Sequence, residues 1–501
     1  MSPDTNNRRY KRVTAHESSE DSPLLSQHLA TSKLTESDFI FEPSFEDYLH
    51  EFVYLFKSAV PNISAYFLQA VMPLASVFAI GNIGTTELGA AALSNMFAAI
   101  TGWSLGIGMA SSLDTLCSQS FTGSNDPFAV GLHLQRGILV TITMFIPISF
   151  VWWFSGSLML LLELDADLAV LCCTYLRILI LAAPASMSFE CIKKYLQAQR
   201  IMKAQTLIVV TTLPFNLLLN YFLVLNESTS LGFKGAPIAT VITHWLTLLF
   251  ALLYIKYIEG SSCWGGWSSQ ALTGWGVYIR LGIPGILMIC SEWWAFEIMS
   301  LMASYLGKDK LAAHSVVLSI TNVTFSIAIG QSISASNRIG NLIGASMPNR
   351  ARISSRCALA LALMLPFISV FTLLGFGWQI GSLFSKDPEV VKCIMVIIPV
   401  VSAYQVFDSV GSVSSGILRG QGRQKIGAVA NLFAFYVLAI PLAIYLTRVV
   451  GFGVEGLWIG TCVALGITST TVAIFVLRSD WNGQVAACRR RLSEMEGPRY
   501  T

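Results

Sequence analysis

The sequence predicts an all-α polytopic membrane protein: twelve transmembrane helices in two pseudo-symmetric six-helix bundles. Three observations predict it. First, 54% of the 501 residues are hydrophobic and only 12% are charged, about half the charged share of an ordinary soluble domain, and the mean hydropathy is +0.62. So few charges could not cover a soluble protein of this size. Second, twelve apolar stretches are long enough to cross a bilayer as helices, and none alternates with the two-residue period of a barrel strand. Third, the chain repeats itself halfway along its length.

The elements follow in order. Residues 1–44, rich in Ser, Thr, Asp, Glu and Asn, read as a disordered cytosolic tail. Residues 45–57 place Phe45, Tyr48, Leu49, Phe52, Leu55 and Phe56 at helical spacing, which predicts an interfacial amphipathic helix on the membrane surface. Six spans then fill an N-lobe, 58–258, at about 58–81, 88–112, 136–161, 168–190, 204–225 and 234–257. A cytosolic linker, 259–276, leads to a C-lobe, 277–478, with spans at about 277–306, 311–335, 354–376, 390–414, 426–447 and 455–477. Residues 479–501 read as a cytosolic C-terminal tail. Nine spans contain Pro, which predicts bent helices because each Pro frees a backbone carbonyl.

Orientation follows from the positive charges. With twelve spans and the N-terminus inside, 25 of the 32 Lys and Arg fall on inner segments and six on outer ones. That split predicts both termini in the cytosol.

The repeat carries the architecture. Pro61 matches Pro284, TELGAAALS (86–94) matches DKLAAHSVV (309–317), YLQAQRIMKA (195–204) matches ILRGQGRQKI (417–426), and GAPIAT (235–240) matches GLWIGT (456–461). The offset stays within 221–223 residues. Six spans separate the copies, so both have the same orientation in the membrane. Two such bundles related by an axis along the membrane normal are a transporter's architecture.

Several chemistries are unsupported. The ten cysteines form no C-x-x-C pair and the six histidines never cluster, so no metal or other cofactor is expected. There is no phosphate-binding loop, no HExxH and no nucleophile elbow, so the chain does not read as an enzyme. A net charge of +3 gives no reason to expect nucleic acid. Receptor and lipid-flippase readings remain as rivals.

Carboxylates inside spans are costly enough to be functional by default. Glu292 and Glu297 lie in CSEWWAFEIM within the seventh span, and Asp408 lies deep in the tenth. Tyr404, Asp408, Ser412 and Ser415 share one helix face, as do Trp293 and Glu297, whereas Glu292 points elsewhere. Acids that hold and release a proton are what a proton-coupled carrier needs. Trp293, Trp294, Phe296 and Tyr404 accompany them, and aromatic faces beside carboxylates suit a bulky organic cation. Basic residues lining the cavity, as a flippase of lipid-linked sugars would favour, are not the pattern here. Gln69 and Asn95 are further polar candidates for substrate contact in the first two spans. Asp114, in SSLDTLCSQSFTG at the end of the second span, is a candidate gating residue; its repeat mate is Asn337. Arg419 and Arg423, at the end of the tenth span, are expected to face water or lipid head groups.

Two short motifs complete the reading. Asn226 opens an N-E-S glycosylation sequon in the loop between spans five and six. Glu20, Leu24 and Leu25 form an acidic dileucine pattern, a sorting signal that an adaptor complex could capture from an extended cytosolic tail. It favours a vacuolar or endolysosomal membrane over the plasma membrane.

ELGAAALS, SSLDTLCSQSFTG, EWWAFE, SASNRIGNLIGA and GILRGQGRQKIGAVANL together resemble the eukaryotic branch of the multidrug and toxic compound extrusion (MATE) transporters, over about residues 55–478. The resemblance implies two lobes in a V and export of organic cations, drugs or metabolites in exchange for H⁺. It assigns coupling to Glu292 and Asp408. Some relatives carry a third acid in the eighth span, where this chain has Ser319. Na⁺ as the coupling ion stays open. The partners expected are a small organic cation or metabolite, H⁺ and the lipid bilayer, around a monomer.

Overall fold

The computed structural model describes residues 43–161 and 164–496. Glu20, Leu24 and Leu25 lie outside them. Among the described residues, twelve helices are long and apolar enough to cross a membrane. They are α1 Phe45–Gly81, α2 Thr85–Gly123, α3 Ala129–Trp153, α4 Ala166–Ala198, α5 Lys203–Leu225, α6 Gly232–Tyr257, α7 Trp275–Ser304, α8 Lys308–Gly344, α9 Pro348–Phe384, α10 Pro388–Gln421, α11 Gln424–Arg448 and α12 Val454–Leu477. They form two six-helix bundles. Each apolar stretch read from the sequence is recovered as one span.

Helix ends explain most of the differences in length. Polar turns such as Ser112–Gly123 and Ser336–Gly344 continue their helices beyond the apolar stretch. The helix α1 starts with a reciprocal cap. Asp47 Oδ2 accepts the Ser44 N–H at 2.9 Å, and Ser44 Oγ accepts the Asp47 N–H at 3.2 Å. Residues 45–57 are therefore not a separate interfacial helix. They are the first turns of α1, which runs unbroken through Lys57 to Gly81.

Proline sets local breaks. A 3₁₀ turn at Ile180–Ala182 precedes Pro184. A π turn at Phe433–Ala439 precedes Pro441, and the ninth span restarts at Pro366. Each is a place where a missing N–H interrupts the regular ladder.

Each half has its own apolar cores. In the first half Met109, Leu113, Val140, Tyr195 and Ile208 pack together, as do Ile80, Trp152, Tyr175 and Leu176. In the second half Met299, Val317, Ile394 and Trp458 form one cluster, and Ala295, Tyr404 and Phe435 another. The helix α7 belongs to both halves. Its start packs Tyr278 and Leu281 into the first-half core, and its end packs Met299 and Ala303 into the second. Glycines bring the halves close together. A Cβ on Gly285 would meet Ser111 and the Gly108 carbonyl, and one on Gly340 would meet Ser118. Small residues at such seams are how membrane helices approach without a hydrophobic drive between them.

An even number of spans puts the start of α1 and the end of α12 on one face, the terminal face. There the chain continues into α13, Trp481–Glu496. The sequence reading treated this stretch as tail. Trp481, Val485, Cys488 and Leu492 are buried at i, i+4, i+7 and i+11, a single apolar stripe.

Candidate functional site

Two constellations stand out: a carboxylate site in the second half, and a charged closure between the halves on the terminal face. Asp408 on α10 is buried at 4% exposure, and Tyr404, one turn earlier, is 3% exposed. Tyr404 is fixed by rings: Phe296 lies edge-on at 6.1 Å and Trp458 at 5.8 Å between centroids. Glu292 on α7 is half-buried and lies near enough to Asp408 for their charges to interact. Tyr404 lies in the field of both. Glu292 also stands where α7 changes hands. The N–H of Trp294 bonds the Ile100 carbonyl of the first half at 3.1 Å, whereas Ala295 is already in the second-half core.

The other predicted contacts divide. Trp293 and Glu297 are half-buried on their shared face. Gln69 and Asn95 are engaged within the first half. Gln69 accepts from Gln205 at 3.5 Å, and an amide chain continues through Gln197 to Asn62. Asn95 accepts from the Tyr175 hydroxyl at 3.3 Å. The sequon residue Asn226 follows α5, and its Oδ1 accepts the Ser228 N–H at 3.0 Å, so that contact leaves Nδ2 uninvolved.

The closure centres on Asp114, 1% exposed. Lys194 Nζ of α4 lies 2.9 Å from Oδ1, and Arg419 Nε of α10 lies 3.2 Å from Oδ2. One buried carboxylate thus holds a cation from its own half and one from the other. Arg419 was expected to face water or head groups. It is instead 9% exposed, and its Nη2 donates to Ser332 at 2.8 Å. The reason is that α2 and α8 cover the end of α10, so the guanidinium has only protein to meet. Backbone bonds reinforce the seam. Gln119 donates to the Gly420 carbonyl at 2.8 Å, Thr122 to the Asn341 carbonyl at 2.7 Å, and Gln424 to the Ser111 carbonyl at 3.2 Å.

A second ionic clasp lies beside it. Glu51 of α1 accepts from Arg338 of α8 through both carboxylate oxygens, each at 2.7 Å. The guanidinium stacks over Tyr54 at 4.3 Å. Such bidentate geometry is the strongest form of this pair. The sequence reading missed Arg419 as a partner of Asp114. The signal was the repeat itself: Arg419 stands where the first half has Gln197, as Asp114 stands where the second half has Asn337. At each of these two positions one copy carries a charge that the other lacks.

With this geometry in hand, the relatives are informative. The MatE family model matches twice, at residues 61–222 and 284–445. Its matches open at Pro61 and Pro284, the pair that opens the internal repeat. The chain belongs to the MATE family. An uncharacterized transporter of Schizosaccharomyces pombe is 36% identical over 444 residues, 89% of this chain and 82% of that one. Multidrug and toxin extrusion protein 1 of Homo sapiens is 33% identical over 410 residues, 81% and 71% of the two chains. The crystal structure of the eukaryotic MATE transporter AtDTX14 is 30% identical, covers 89% of this chain and all of its own, and superposes with a TM-score of 0.83. MATE family members are transporters rather than enzymes, and this MATE chain shares their two-bundle fold.

Proposed function

We propose that this MATE transporter exports organic cations, drugs or metabolites from the cytosol in exchange for protons, by alternating access of the two bundles. The observation that carries the reading is the position of Arg419. It pairs with Asp114 across the terminal face and stands on the same unbroken helix as Asp408. One helix therefore carries both an acid of the proposed coupling site and the cation of the gate.

The chemistry is competition. Glu292 and Asp408 carry negative charge beside Tyr404, Phe296 and Trp293. Either a proton or an organic cation neutralises them, and aromatic faces favour the cation. Occupancy by one disfavours the other, which is the minimum requirement for antiport. Glu292 also sits where α7 passes from one half to the other, so a change there bears on both bundles. Asp114, Lys194 and Arg419 form the gate in this state. Trp293 and Glu297 contribute to the substrate face, with Gln69 and Asn95 on the opposite half.

The terminal face is cytosolic in this reading, as the charge count favours, which leaves Asn226 on the luminal or outer side. The dileucine tail directs the protein to a vacuolar or endolysosomal membrane, and it functions as a monomer. Glu292→Gln and Asp408→Asn test the core of the proposal. In sealed vesicles both variants should insert normally and lose pH-driven transport of a quaternary ammonium ion. Wild-type pH dependence in either variant removes that residue from the coupling site.

A further inference from the structure

The helix α13 touches both halves of the transporter at once. Its seat is on the second half: it packs against α8 and α9, Trp481, Val485 and Cys488 are buried, and Arg489 Nε donates to Ser346 at 3.2 Å. Its last turns reach the first half. Arg491 Nη2 donates to Gln119 Oε1 of α2 and to the Gln421 carbonyl of α10, both at 3.0 Å. Leu492 lies against Gly123, the last residue of α2, where even an added Cβ would come within 2.9 Å of it. Met495 packs on the first-half core.

We infer that α13 is a strap across the gate, with Arg491 as the residue that fastens it. Gln119 is the key neighbour. Its Nε2 already bonds Gly420 across the seam and its Oε1 receives Arg491, so one amide joins α2, α10 and α13. The guanidinium closes a triangle that spans both halves about one and a half turns beyond Asp114. When the halves part on this face, α13 stays with the second half and the contacts to Gln119, Gly123 and the first-half core break. The strap therefore adds to the stability of the closed face and sets how often it opens. This rests on the alternating-access reading, but not on which ion drives the cycle.

Reversible cross-linking of the full-length protein tests it. Phe121→Cys with Met495→Cys, two side chains that pack on the first-half core, ties the strap to the first half. Ser346→Cys with Arg489→Cys ties it to its own half. A short bifunctional thiol reagent is applied to each pair in vesicles, and uptake of a quaternary ammonium ion is measured before and after reduction. The first lock should abolish transport until reduced, and the second should leave it intact. Transport through the first lock at the unlocked rate overturns the strap. A distance measurement between labels on the two halves supplies the second arm. Arg491→Gln should raise the open-face population on the order of tenfold, the size expected for one charge-assisted hydrogen bond. Arg491→Lys should restore most of it. Unchanged populations in Arg491→Gln overturn the assignment of the fastener. A single distance in the untouched protein, whatever the pH or substrate, would overturn alternating access and the strap with it. Loss of pH dependence alone would strike the coupling reading and leave the strap standing.

Discussion

Replacing Arg419 with Gln removes the one ion-pair partner of Asp114 among the described residues that crosses from the other half, and leaves Lys194 in place. The ion pair is 3.2 Å long. At an effective dielectric near 20, Coulomb attraction at that distance is about 5 kcal/mol. Most of it is offset, because closing the face strips water from the guanidinium and because Lys194 already neutralises Asp114 in both states. The Ser332 contact is within the second half and persists on opening. The Nε makes no hydrogen bond to the carboxylate, so what remains is of the order of a close charge pair, about 1.5–3 kcal/mol, at the low end of the range for such pairs across interfaces. That corresponds to a roughly 10- to 150-fold shift from closed toward open on the terminal face. Spin labels at Lys203→Cys and Arg352→Cys, both exposed positions on that face, report it as growth of a longer distance. A distance distribution in Arg419→Gln that matches the wild type within twofold would refute the gate.

Other consequences are independent of that one. Glu51→Gln leaves the Arg338 guanidinium buried without its carboxylate, which should cost about 3 kcal/mol and lower the thermal midpoint of the detergent-solubilised protein; pairing it with Arg338→Met should recover part of the loss. Burial pushes the Cys488 thiol up to about 11, and only the thiolate attacks maleimide, so at pH 7.5 its labelling should lag an exposed thiol by roughly a few hundredfold and should rise with pH. Equal rates would mean that α13 is not seated. Asn226→Gln should abolish a glycan-dependent gel shift, and a glycan retained elsewhere on the chain would speak against the proposed orientation. Leu24→Ala with Leu25→Ala should move the tagged protein from an internal membrane to the cell surface; an unchanged location would dismiss the dileucine.

The fold was legible in the sequence because bilayer physics makes it so. A span must bury its backbone in its own helix and carry an apolar surface, and both demands leave a mark in every stretch from Ala59 to Val476. The repeat was legible because two copies of one bundle keep their spacing. The carboxylates could be read from cost alone: nothing but function or a specific partner keeps Glu292 and Asp408 inside a span. Partnership was harder. Arg419 lies at the polar end of its helix, where the pattern is the same for a solvated residue and for one covered by α2 and α8. Glu51 reads as one charge of an amphipathic stretch, yet Arg338 meets it 287 residues away. The α13 stripe has only four buried positions among arginines and glutamates, too thin to rise above a polar tail until α8 and α9 are seen beneath it.

The central claim is that one cation leaves as protons enter through the same site. A quaternary ammonium ion tests it cleanly, because it has no proton of its own to carry. Vesicles holding the purified protein and loaded with tetraethylammonium and a pH-reporting dye, in sodium-free buffer clamped at zero voltage, are diluted into medium without the ion. As tetraethylammonium leaves, the lumen should acidify in wild type and stay at constant pH in Glu292→Gln. Efflux through the wild-type protein with no change in lumenal pH would contradict the account.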